Sequence, residues 1–136
     1  MDETVPNIFP ALRYADAHKA LRWLNEAFGF ERTVAVPGPD DTIAHAEMRL
    51  GAGTIMFGSA AEATERDGAK DPSTARASIY VWVPDVDEHH ARAKAAGAEI
   101  TLEPTDMSYG SREYAARDFE GHHWSFGSYL PRPDAR

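Results

Sequence analysis

The chain contains no cysteine. That absence removes disulfides, thiolate nucleophiles and cysteine-held metals together, and it leaves oxygen and histidine as the available metal donors. Long apolar runs are missing too, and none approaches the ~20 residues a membrane-crossing helix needs. Positive charge is scarce: 14 Lys and Arg stand against 22 Asp and Glu, a net charge of −8. Such a chain repels a phosphate backbone, so nucleic acid is not an expected partner and a neutral or cationic small molecule is. The opening Met1-Asp2-Glu3-Thr4 is acidic and lacks the basic and apolar order of a secretory signal, so the expected location is cytoplasmic, with no membrane partner.

What is present is the composition of a globular protein. The 136 residues are 43% hydrophobic and 26% charged, enough for a single domain with a buried core. Ile8 to Tyr14 reads as a strand. Asp16 then caps a helix running to about Phe28, whose apolar face is Leu21, Leu24, Ala27 and Phe28. Gly29 stops it, and the pattern returns to β over Phe30–Val36, Thr42–Leu50 and Thr54–Ser59, the last two joined by Gly51-Ala52-Gly53. The unit is βαβββ, spanning about residues 7–60. A polar stretch over about 60–75, broken by Asp67-Gly68 and Asp71-Pro72, predicts a surface linker.

The second half, about 76–130, repeats that order. A strand over Arg76–Val83, Asp85 as cap, a helix to about Ala96, Gly97 as stop and a strand over Ala98–Glu103 come in turn. A shift of 69 places Asp16 on Asp85, Ala27 on Ala96, Ala46 on Ala115 and Phe57-Gly58-Ser59 on Phe126-Gly127-Ser128. Matches at one offset, in register with the elements, indicate a duplicated unit. The expected fold is α+β: two tandem βαβββ modules forming a curved mixed sheet, a cup covered on its outer side by helices.

Alternation assigns faces. Ile8, Leu12, Ile79, Val81, Val83, Ala44, Ala46, Met48, Leu50, Ile55, Phe57, Trp124 and Phe126 are expected under the helices. The open face is expected to carry Phe9, Arg13, His45, Glu47, Arg49 and Met56 from the first module, with Ser78, Tyr80, Trp82, Arg112, Tyr114, His123 and Ser125 from the second. Aromatic walls with a few convergent polar groups make a small-molecule surface.

The stretch Tyr109-Gly110-Ser111-Arg112-Glu113-Tyr114-Ala115-Ala116-Arg117-Asp118-Phe119-Glu120-Gly121-His122-His123-Trp124-Ser125-Phe126 resembles the closing motif of the vicinal oxygen chelate superfamily, the glyoxalase/bleomycin-resistance/dioxygenase group. Phe119 stands where that motif has proline. Val83-Pro84-Asp85-Val86-Asp87 and Ala95-Ala96-Gly97-Ala98 resemble its second helix entry and exit. The resemblance covers about residues 7–130. It implies a divalent metal held by His or Glu at four strand positions, which match Phe9, Met56, Ser78 and Ser125 here. Phenylalanine has no lone pair, methionine is too soft for the ions involved, and neutral serine is a weak ligand. No metal and no cofactor is expected. The resemblance then points to the metal-free relatives that sequester flat, often cationic antibiotics between aromatic side chains, usually as homodimers with shared clefts.

The expected ligand is accordingly small and aromatic, with cationic character favoured by cation–π attraction and by the acidic chain. Its expected contacts are Phe9, Met56, Ser78, Tyr80, Trp82, Tyr109, Arg112, Tyr114 and Ser125, with His45, Glu47 and His123 as hydrogen-bonding groups. Filling the sheet or a dimer interface is the competing role for the aromatics. The alternative function is a glyoxalase- or dioxygenase-like enzyme working off the usual metal pattern, with His45 and Glu47 as an acid–base pair and His123 in the same cup. His18, His89 and His90 are expected on solvated helix surface.

Overall fold

A computed structural model describes residues 6, 8–60 and 77–131. The predicted linker beyond Ala60, the first residues of its following strand and the tail beyond Pro131 lie outside them. The first module runs β1 (Ala11–Tyr14), α1 (Ala17–Phe28), β2 (Glu31–Pro37), a short 3-10 turn at Pro39–Asp41, β3 (Ile43–Leu50) and β4 (Gly53–Ser59). The second runs β5 (Ile79–Trp82), α2 (Val86–Ala95), β6 (Glu99–Asp106), β7 (Arg112–Arg117) and β8 (His123–Gly127). Each folds a four-stranded mixed sheet, in the orders β1-β4-β3-β2 and β5-β8-β7-β6, with β1 and β5 parallel to their neighbours.

The duplication reaches single atoms. Asp16 and Asp85 cap their helices by accepting from Lys19 N and Glu88 N, both at 3.0 Å. Gly29 and Gly97 stop them at φ 89° and 98°, a left-handed backbone in which glycine meets no Cβ penalty. Ser59 Oγ accepts from Ile43 N at 2.9 Å and Ser128 Oγ from Arg112 N at 3.0 Å, one more pair related by 69.

One sequence expectation shifts here. The first strand starts at Ala11, three residues late, because Pro10 lacks an N–H and contributes only its carbonyl, to Met56 N at 2.9 Å. Ile8 therefore stands free, 86% exposed, and not under a helix. The two tandem βαβββ modules stand as expected, each with its own four-stranded mixed sheet and no hydrogen-bonded edge between the sheets among the described residues.

What joins the modules is the helix side of both sheets. Helix α1 lies on all four strands of the first sheet. Its fully buried Phe28 packs against Trp124 and Phe126 of the second, at centroid distances of 5.2 and 4.8 Å. Phe119 stacks on Tyr14 at 5.7 Å and lies against Trp23 at 5.6 Å, so the residue that departs from the family motif fills the seam. Helix α2 supplies donors to carbonyls of the last turn of α1: Arg92 to Glu26 O and Asn25 O at 3.0 and 2.8 Å, and His89 Nε2 to Phe28 O at 2.9 Å.

His89 and His90 thus leave the solvated surface expected for them. His89 Nδ1 is 2.6 Å from the Tyr114 hydroxyl, which fixes the neutral tautomer with Nε2–H on Phe28 O. His90 reaches Glu103 at 2.9 Å. Burial, aided by nearby Arg92 and opposed by the bond to Phe28, holds the His89 pKa below its ordinary value. The unfolded chain then takes up this proton first as the pH falls. Stability from this group is complete above about pH 6.5 and is lost as the pH falls through the lower folded value. Urea midpoints at about pH 7.5 and about pH 5.5 should differ less in His89→Gln than in the wild type.

Candidate functional site

Because both sheets turn their helix sides to one core, their other faces look outward in different directions. On the first sheet, Met56 of β4 lies between Ala11 of β1 and Glu47 of β3. His45 Nε2 lies 2.7 Å from Glu47 Oε2 on this face, both side chains partly exposed, and Arg49 pairs with Glu31 at 2.9 Å. Arg13 donates to Ser59 O at 3.4 Å, and Phe9 precedes β1, 41% exposed. The acidic and basic groups of this face largely neutralise one another.

On the second sheet, Ser125 lies between Tyr80 and Ala115, and Gly127 lies between Trp82 and Glu113. Tyr80 is 37% exposed and anchored by its hydroxyl donating to Tyr129 O at 2.6 Å, while Trp82 is 43% exposed. Tyr109 projects from a tight turn in which Met107 N donates to Ser111 O at 2.7 Å and Gly110 takes φ 92°. Its hydroxyl donates to Glu113 Oε1 at 3.1 Å. His123 lies 3.5 Å from Thr101 Oγ1, and Ser78 enters β5.

Two predicted open-face residues belong elsewhere. Tyr114 is fully buried, stacked on Phe126 at 5.0 Å and bound to His89, because β7 sets it opposite Phe126. Arg112 shares that side of the strand and pairs with Asp87 of α2 at 2.9 Å and Asp106 at 3.0 Å. The residue that does face outward is Glu113, passed over in the sequence. Its signal was present: in an antiparallel pair Tyr114 opposite Phe126 fixes the alternate position as open. His45 and Glu47 are brought together, but His123 is on the other sheet.

The four positions matched to metal ligands by the resemblance divide likewise, Phe9 and Met56 with the first sheet, Ser78 and Ser125 with the second. Their side chains offer no carboxylate or imidazole, and among the described residues no three His, Asp or Glu side chains are grouped to hold an ion. This donor set does not fit the metal of the family's enzymes.

A groove of about 760 Å³ follows the unpaired edge of β5, between Ile79, Val81 and Trp82 and the β3–β4 turn Leu50–Gly53. Both β1 and β5 end their sheets with no strand beyond them among the described residues. Among the described residues no helix is long and apolar enough to cross a membrane.

Comparison with known proteins agrees with this architecture. The crystal structure of TioX from Micromonospora sp. ML1 is 34% identical, with a TM-score of 0.73 over 92% of this chain and 99% of that one. The uncharacterized protein Rv0887c of Mycobacterium tuberculosis is 32% identical over 127 residues, 90% of this chain and 74% of the relative. The fosfomycin resistance protein FosX of Listeria monocytogenes, solved with Mn(II) and sulfate, shares the fold at 18% identity and TM-score 0.68, over 96% of this chain and 95% of its own. The model of the Glyoxalase/Bleomycin resistance protein/Dioxygenase superfamily matches residues 8–126, and the chain belongs to that superfamily.

Proposed function

We propose that this protein sequesters or carries a small, flat aromatic molecule, without a metal, in a cup that two copies of the chain build together. The carrying observation is the pair of half-exposed aromatics Tyr80 and Trp82 on a sheet face turned away from the core, with the exposed Tyr109 on the turn before β7. Large rings in water cost free energy, and a flat ligand or a second copy covers them. Each module offers half a cup, and the free edges of β1 and β5 with the groove beside β5 suit a second copy whose first module closes on this chain's second. A cysteine-free chain suits a cytoplasmic place.

Tryptophan fluorescence tests this reading. Trp23 and Trp124 are buried and Trp82 is exposed, so a ligand in the cup quenches chiefly Trp82. Saturable quenching by a flat aromatic is expected in the wild type and lost in Trp82→Ala, with affinity measured by calorimetry falling ~10-fold or more. Unchanged calorimetric affinity in Trp82→Ala would overturn the reading.

A second reading, a metal-free acid–base enzyme, is favoured by the 2.7 Å contact between His45 and Glu47 on the first open face. It requires turnover of the bound molecule that disappears in Glu47→Gln while binding persists.

A further inference from the structure

We propose that Glu113, framed by Tyr109, Tyr80 and Trp82, is the subsite that receives the positive charge of a cationic aromatic ligand. This deepens the binding reading above and rests on it. Other carboxylates on the open faces are matched: Glu47 by His45 at 2.7 Å, Glu31 by Arg49 at 2.9 Å and Glu99 by Arg117 at 2.8 Å. Glu113 has no basic group within ion-pair distance among the described residues, and its side-chain partner is the Tyr109 hydroxyl at 3.1 Å.

The backbone makes room for this arrangement. A Cβ at Gly127 would come within 2.7 Å of the Tyr80 hydroxyl and 2.8 Å of Glu113 Cγ, so both side chains lie over β8 only because that position is bare. A carboxylate beside three aromatic groups, all partly in water, suits one kind of ligand group. A protonated amine or ring nitrogen takes the carboxylate as counter-ion and the ring faces as cation–π partners. An anionic ligand would meet Glu113 unscreened. The corresponding position of the first module, next before Ala46 as Glu113 is next before Tyr114, is His45, which is already paired with Glu47, so the two halves of a shared cup differ in polarity.

The test compares two planar probes of one ring system: 9-aminoacridine, a cation at neutral pH, and acridine, largely neutral there. Calorimetry on the full chain should show wild type favouring 9-aminoacridine by about tenfold. Glu113→Gln keeps an acceptor for Tyr109 and should erase the preference, leaving acridine affinity within about twofold. Gly127→Ala keeps the charge and displaces its frame, so it should weaken 9-aminoacridine with little change in melting temperature. If both probes bind equally to wild type and Trp82→Ala abolishes both, the cup stands and the cation subsite falls. A preference that survives in Glu113→Gln overturns it equally. If wild type binds neither ring up to its solubility limit, the sequestration reading falls and the subsite with it.

Discussion

Asp118→Ala should lower stability by about 3–5 kcal/mol, a drop in melting temperature of about 10 °C or more. Among the described residues no other buried side chain gathers as many partners. The Asp118 carboxylate accepts from Tyr14 Oη at 2.7 Å and Trp124 Nε1 at 3.1 Å, and from the backbone N–H of Glu120 and His122, each at 3.0 Å. Tyr14 belongs to the first module and the rest to the second, so this carboxylate ties them together. Glu120 adds two bonds from the same turn, accepting from Ala15 N and Asp16 N at 2.7 and 2.8 Å. Truncation would strand four donors, each costing about 1–3 kcal/mol when left without a partner in a dry interior. Asp118→Asn is a milder case. Its NH₂ faces donors where an acceptor is needed, and about 2–3 kcal/mol should be lost.

The same group sets an acid limit. Burial alone would raise the Asp118 pKa, but the bonds and charge of His122 with the hydroxyl of Tyr14 and the indole of Trp124 outweigh it and hold the pKa below the ordinary value. The unfolded carboxyl is protonated first as the pH falls. The stabilisation is complete above about pH 4 and disappears as the pH falls through the folded value. Chemical denaturation from neutral to acid pH should give a flatter curve for Asp118→Asn than for wild type in that window.

The sequence made the modules legible because their punctuation is local. Asp16 and Asp85 as caps, Gly29 and Gly97 as stops and the repeat at 69 depend on near neighbours, and all stand in the structure. The site was less legible for two reasons. In β3, Ile43 and Ala46 are both buried although three apart, with a register shift at Val36/Pro37, whereas β7 takes no extra residue. Ala46 therefore opposes Phe57 while Tyr114, not Ala115, opposes Phe126, and Glu113 emerges where Tyr114 was expected. Contacts between modules are the second reason. The bonds from Tyr14 to Asp118 and from His89 to Phe28 join residues 104 and 61 positions apart, and no periodicity reports them. His89 read as surface because its helix face looks polar until α1 is laid against it.

The arrangement of the modules carries the functional account. In the proposed reading, sheets that share a core through their helices each display half a cup on their open faces, so a ligand that touches both open faces needs two chains. Two variants damage opposite halves. Met56→Lys places a charge at the centre of the first open face, and Trp82→Ala removes the exposed ring of the second.

The direct measurement is 9-aminoacridine binding to each variant alone and to the two co-expressed. A cup shared between two chains gives almost no binding by either homodimer and recovery of about a quarter of wild-type sites on co-expression, since half the dimers are mixed and each mixed dimer holds one intact cup of two. Co-expressed protein that binds no better than the separate variants, or Met56→Lys protein that binds like wild type alone, would place the site within one chain and contradict the shared cup.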